Sequence, residues 1–231
     1  MKIFKRAREN RNILKEINYA DVFNSTISNS KWLHDKSFSP TSYAIGYPLL
    51  YVLYRILDEQ QPGNILEFGL GQSTKLFHQY ADSRKEARIT TLEHDEEWIK
   101  FFSGKSILPS NAQLIKVECE ISKYRNFRTR TIKDLGKHVD HSRYDLIVVD
   151  APTVLKRYSR SQILKMIPGN IDPGHFIIII DDSQRRGESD TCRELERKFR
   201  ELNIEFYRND YSGIKSSALF CSADFRFLTT L

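Results

Sequence analysis

Two runs of large apolar residues, Leu146-Ile147-Val148-Val149 and Phe176 to Ile180, constrain this 231-residue chain more than any other feature. Neither run alternates with polar residues, so each is expected to be buried on both faces, as central strands of a helix-covered parallel sheet are. The rest of the chain agrees with that layout. Strand candidates are Asn64 to Phe68, Arg88 to Glu93, Gln113 to Glu118, Tyr144 to Asp150, His175 to Ile180, Ile204 to Arg208 and Ser217 to Cys221. Between them, helical spacing marks Gln72 to Tyr80, Asp95 to Phe102, Ser159 to Ile167 and Ser189 to Leu202. Such alternation predicts a doubly wound α/β sheet of seven strands, mostly parallel. Only Asp210 to Lys215 separates the last two strands, too little for a crossover helix, so they are expected as an antiparallel pair at the sheet edge.

Residues 1–40 form a basic N-terminal extension, read as helical, and residues 41–231 one domain. Apolar residues at Ile45, Leu49, Val52, Leu53, Ile56 and Leu57 predict a helix that Gln61-Pro62-Gly63 stops. Trp32, Phe38, Tyr43 and Tyr47 are expected to pack this leading helix onto the sheet. Hydrophobic residues make up 40% of the chain and charged residues 29%, which suits a packed core and argues against disorder. The net charge of +6 favours anionic partners without choosing among them. Cys119, Cys192 and Cys221 are odd in number and lack metal-ligand spacing, so a reducing, cytoplasmic setting is expected. Met1 to Lys15 has no apolar run long enough for a signal sequence, and no segment is expected to span a membrane.

Ligands of open parallel sheets bind beyond the carboxyl ends of the strands. The first strand ends in Glu67-Phe68-Gly69-Leu70-Gly71-Gln72-Ser73-Thr74. Two glycines one residue apart allow a tight turn and close approach to a ligand, and Gln72, Ser73 and Thr74 open a helix whose free amides favour anionic groups. The second strand ends in Leu92-Glu93-His94-Asp95, where α/β nucleotide folds place the acidic residue that holds a ribose. Glu93 takes that part, and Asp95 reads as the cap of the next helix. A dinucleotide-binding dehydrogenase is a competing reading, but the third glycine of its fingerprint is Thr74 here.

On these residues the chain resembles class I S-adenosylmethionine (SAM) dependent methyltransferases, over roughly Asn64 to Cys221. The resemblance implies a Rossmann-like fold. It also implies a cofactor site of Glu67, Gly69, Gly71, Gln72, Ser73, Thr74, Glu93 and Asp150, with Glu67 acting on the methionine end through the glycine loop. The adenine contact stays open, because Glu118-Cys119-Glu120 matches the family only loosely. Base-directed enzymes of the superfamily are similar to one another in an Asn/Asp-Pro-Pro-aromatic turn. Asp150-Ala151-Pro152-Thr153 stands here instead, which places nucleic acid behind other acceptors.

Asp150 ends one central strand, and Asp181 with Asp182 ends its neighbour, so three carboxylates are expected side by side, able to hold Mg²⁺ or another divalent cation. The arrangement looks like the metal-dependent O-methyltransferases of the catechol and caffeoyl-CoA type, on whose ion-ligand positions Asp150, Asp181 and Asp182 fall. Asp182 stands where that family has Asn, and Thr153 where it has lysine. Lys156 is the nearest substitute, and with Asp150 it is the catalytic candidate. Lys156, Arg157, Arg160, Arg185 and Arg186 follow the two strands where an anionic acceptor would arrive. A short similarity around Val148 to Pro152 to glucuronoxylan O-methyltransferases adds glycans to the acceptor classes. Methyl transfer to a hydroxyl of a small molecule or saccharide is the leading reading; a nucleotide-binding scaffold without chemistry and a nucleic-acid methyltransferase are the alternatives.

Overall fold

In chain order the elements are α1 (Lys2–Ile27), α2 (Tyr47–Arg55), β1 (Asn64–Phe68), α3 (Gln72–Ser83), β2 (Arg88–Glu93), α4 (Glu96–Ser103), β3 (Ala112–Lys116), β4 (Cys119–Tyr124), β5 (Phe127–Ile132), α5 (Leu135–Val139), β6 (Leu146–Val149), α6 (Ile163–Met166), β7 (Ile177–Ile180), α7 (Arg186–Glu201), β8 (Tyr207–Ser212) and β9 (Ser216–Cys221). They come from a computed structural model that describes residues 2–40, 44–105, 107–139, 142–152 and 155–231, with side chains from residue 6 onward. Tyr43 and Thr153 lie outside the described residues.

Seven strands form one sheet in the order β3-β2-β1-β6-β7-β9-β8. β1 pairs in parallel with β2 and β6, and β6 with β7, whereas β9 runs antiparallel to both β7 and β8. The expected Rossmann-like, doubly wound sheet with an antiparallel pair at one edge is therefore present. Every residue of β6 and β7 is buried, as their unbroken apolar composition requires. Strand order reverses between β1 and β6, and the carboxyl ends of β1, β2, β6 and β7 open together at that point.

Two buried clusters cover the faces. One joins Phe23, Ile27 and Leu33 to α2, α3 and residues of β1, β6, β7 and β9; the other joins α7 to the opposite face. The leader thus contributes to the same core as the sheet. Its α1 is tied down by Glu16, whose carboxylate accepts the Tyr47 N–H at 2.7 Å and the Ile214 N–H at 2.9 Å. Trp32 stacks on Tyr54, and Phe38 and Tyr47 pack against Phe23, so these aromatic residues do bind the leading segments together.

The helical N-terminal extension is present as α1, one long helix. Other features depart from expectation. β4 with β5 makes a separate antiparallel hairpin outside the sheet. The helix expected over Ser159 to Ile167 shrinks to α6, because Tyr158 and Arg160 adopt left-handed backbone, φ 49° and 62°, which no helix tolerates. No disulfide links the three cysteines, and among the described residues no helix is long and apolar enough to cross a membrane.

Candidate functional site

At the reversal of strand order lies a cleft of about 760 Å³, larger than clefts of 360 and 300 Å³ beside the β4–β5 hairpin. One wall is the glycine loop, Gly69 to Ser73. The second is the end of β2 with Glu93, Asp95 and Trp98, and the third is Asp150, Arg160, Asp182, Arg185 and Lys215.

Gly69 stands at φ +100°, and a Cβ there would come 3.1 Å from the Cβ of Ala151. Only glycine suits both restraints. Gly69→Ala is expected to cost about 1–2 kcal/mol from the backbone conformation alone and to displace Ala151; a denaturation midpoint equal to that of the parent protein would contradict this. At Gly71 a Cβ would meet nothing within 4 Å, so the backbone there borders open space into which a ligand fits.

The carboxylates expected to contact a cofactor divide into two roles. Glu67 is completely buried and does not line the cleft. It gathers the hydroxyls of Ser73 (2.5 Å), Thr74 (2.7 Å) and Thr91 (2.9 Å), and Thr74 Oγ1 in turn accepts the Gly71 N–H at 2.8 Å. Glu67 and Thr74 therefore shape the loop from behind. Burial pushes the Glu67 carboxyl up to about 8, against the three hydroxyl contacts that lower it.

Glu93 faces the cleft, yet most of its bonding capacity is already engaged. Its Oε2 accepts the Leu70 N–H at 2.8 Å, and its Oε1 accepts the N–H groups of His94 at 2.6 Å and Asp95 at 2.8 Å. Burial raises its pKa, but the His94 side chain and these backbone donors outweigh burial and hold it below its ordinary value, so it stays ionised. One lone-pair direction of Oε2 remains for a ligand hydroxyl. Asp95 caps α4 as expected, accepting the Trp98 N–H at 3.0 Å. Trp98, which sequence reasoning did not single out, donates its indole N–H to Leu70 O at 2.6 Å and pins the loop from the other side. Glu118, Cys119 and Glu120 do not line the cleft.

Asp150, Asp181 and Asp182 do come together: one oxygen from each lies within 4.8 Å of the others. Among them sits Arg160, 3% exposed. Its Nη2 is 3.0 Å from Asp150 Oδ1 and 3.2 Å from Asp182 Oδ2, and its Nη1 donates to Asp181 O at 2.6 Å. Arg185 Nη1 lies 2.7 Å from Asp182 Oδ2, Lys215 Nζ 3.8 Å from Asp182 Oδ1, and the Ser217 hydroxyl 2.5 Å from Asp181 Oδ1. A divalent ion needs several oxygens converging at about 2.0–2.6 Å. Here Asp150 Oδ1, Asp182 Oδ2 and Asp181 Oδ1 are turned to protein donors, and although Asp181 Oδ2 has no hydrogen-bond partner among the described residues, a guanidinium already stands among the carboxylates, so the donor set does not fit a divalent ion while Arg160 is in place. Burial, followed by the Asp181 charge, pushes Asp150 above the usual carboxylate range against the pull of Arg160.

The expected catalytic Lys156 is exposed and does not line the cleft; the cation beside Asp150 is Arg160. Of the five cations expected to face an acceptor, only Arg160 and Arg185 line the cleft. Arg157 pairs with Asp190 and lies over the rings of Phe127 and Tyr158. Lys215, brought in by the β8–β9 turn, had no sequence signal, because its place depends on a hairpin folding back over β7.

No protein-family model matches the chain, and no curated protein matches it in sequence. Solved structures do. A precorrin-6y C5,15-methyltransferase from Geobacter metallireducens superposes with a TM-score of 0.51 at 13% identity, over 81% of this chain and 94% of that one. A methyltransferase from Geobacter sulfurreducens gives 0.51 at 12% identity, over 88% and 89%. The chain thus shares the Rossmann-like fold of these two methyltransferases.

Proposed function

We propose that the protein is a SAM-dependent methyltransferase that methylates a hydroxyl oxygen of a small molecule or saccharide. The observation that carries this reading is the cleft itself, in which the glycine loop, Glu93 and Asp150 meet at the reversal of strand order. The names of the structural neighbours, both methyltransferases, point the same way.

SAM supplies an electrophilic methyl group on a sulfonium. Gly69 and Gly71 let the loop backbone approach it closely, and the first amides of α3, which lack partners within the helix, receive its carboxylate. Glu93 Oε2 accepts a ribose hydroxyl. Asp150, partly open to the cleft with one oxygen held by Arg160, accepts the hydrogen bond, and then the proton, of the acceptor hydroxyl. The enclosing walls align the two reactants. Arg185 and Lys215 on the acceptor side face Asp182 and can turn their remaining donors to an oxygen-rich acceptor. The divalent-cation assistance implied by the sequence resemblance enters no step, since Arg160 occupies the cluster that would provide it.

Isothermal titration of SAM and of its demethylated product tests the reading. Micromolar binding is expected, weakened roughly 10- to 100-fold in Glu93→Ala, as the loss of a hydrogen bond to a charged group implies. Absence of binding to either compound would sink the proposal and favour a scaffold role.

A further inference from the structure

The carboxylate cluster at the ends of β6 and β7 has the composition of a divalent-cation site but the geometry of an ion-paired one. We infer that the Arg160 guanidinium is the resident cation of this cluster, standing in for a metal ion, and that the cleft binds no divalent ion.

Three observations carry the inference. The first is placement. Arg160 is buried, and its planar fork bonds Asp150 and Asp182 through Nη2 and the Asp181 carbonyl through Nη1, with Val149 O a further 3.3 Å contact. It thereby closes the carboxyl ends of two adjacent strands, a bridging geometry that a guanidinium provides and a lysine does not.

The second is that the chain is built to hold it there. Tyr158 and Arg160 lie in left-handed backbone, a conformation non-glycine residues keep only where the surroundings enforce it. The loop is fastened on both sides. Thr129 Oγ1 donates to Tyr158 O at 2.9 Å, Thr191 Oγ1 donates to Ser159 O at 2.6 Å, and Gln162 Nε2 donates to Ala151 O at 3.2 Å. Gly187, where a Cβ would come 3.0 Å from Leu155 O, lets the loop lie directly on the start of α7.

The third is charge. Asp150, Asp181, Asp182 and the buried Glu188, whose Oε1 is 3.7 Å from Arg160 Nε, face Arg160, Arg185 and Lys215. Counted as charged groups, four carboxylates against three cations leave a net charge of only −1. A dication added to it would stand against the guanidinium and leave the buried group positively charged.

The inference deepens the proposed function by assigning the charge at the acceptor side of the cleft, but it does not depend on SAM binding. It is tested on the chelator-treated, desalted full chain without cofactor, by titrating Mn²⁺ and following free Mn²⁺ by electron paramagnetic resonance. The wild type is expected to show no stoichiometric site up to about 1 mM, the weak end of protein cation sites. Arg160→Gln, which frees the carboxylates, is expected to bind Mn²⁺ at least about tenfold more tightly and to melt at a higher temperature when Mn²⁺ is present. If that variant does not fold, the wild-type titration decides alone. One Mn²⁺ bound by the wild type and lost in Asp150→Asn overturns the inference; Mn²⁺ that persists in Asp150→Asn lies elsewhere and leaves the cluster metal-free, as inferred. Failure of SAM binding, measured separately, would leave this result unaffected.

Discussion

Arg160→Met is expected to destabilise the fold by about 3–5 kcal/mol near neutral pH, the cost typical of removing one partner from a buried ion pair. Methionine fills much of the space of the arginine stem, so the loss is chiefly electrostatic. Asp150 and Asp182 lose the donor between them, the Asp181 carbonyl loses its 2.6 Å contact, and Glu188 loses the guanidinium 3.7 Å away. Arg185 and Lys215 continue to offset Asp182. The deficit should therefore depend on pH. Asp150, Asp181 and Glu188 all have carboxyls raised above their ordinary values, by burial first, so the folded state already favours their protonated forms. Lowering pH supplies protons in place of the lost guanidinium and should shrink the gap between variant and parent; raising pH should widen it. Urea unfolding at pH 5 and pH 8 measures both. A gap that is negligible at both values would mean that Arg160 carries no structural charge.

The second large effect concerns Glu67. Glu67→Ala removes the shared partner of three buried hydroxyls and opens a cavity beneath the glycine loop, for an expected loss of about 2–4 kcal/mol together with weaker SAM binding, since Gly71 is held through Thr74. Glu67→Gln keeps the volume and one acceptor and should be much milder. It should also remove a pH dependence. Burial raises the folded-state pKa of Glu67 from its ordinary 4.5 to about 8, so the folded state binds the proton more tightly. Its contribution is complete below the unfolded value and is lost as pH rises through the folded one. Between those limits the parent should lose stability on the order of 1 kcal/mol per pH unit relative to Glu67→Gln. Parallel stability curves for the two proteins from pH 5 to 8 would show that Glu67 is ionised throughout.

Much of this architecture is legible in the order of residues because local chemistry specifies it. β1 and β2 occur over the very spans read from composition, Asn64–Phe68 and Arg88–Glu93. Asp95 caps α4 because a short carboxylate before an apolar-patterned segment has one good use there. Gly69 marks the loop, since no other residue serves a positive φ this close to the neighbouring strand, and Gly71 marks where its backbone borders open space.

The misses share a different cause. The β4–β5 hairpin leaves Glu120, Ile121, Lys123, Phe127 and Arg128 exposed and turns through Arg125 and Asn126, so neither alternation nor a glycine turn announces it. α1 is a helix as expected, but its anchoring is not legible locally, because it rests on Phe23, Ile27 and Glu16, the last reaching Ile214 from almost the whole length of the chain away.

Strand periodicity, glycine conformation and acidic strand ends, each a property of a few consecutive residues, determined from sequence alone that this chain makes a doubly wound sheet with a ligand cleft at the ends of β1, β2, β6 and β7. Which charges meet in that cleft was decided only by tertiary structure. Arg160 read as one of five cations after the two strands where an acceptor would arrive, and nothing local distinguishes it from Lys156 or Arg157. Its burial among Asp150, Asp181 and Asp182 follows from two left-handed residues and the packing of the loop on α7, and Lys215 joins them because β9 pairs with β7. Electrostatic partners are chosen by distance in space, which a linear pattern of charges does not encode.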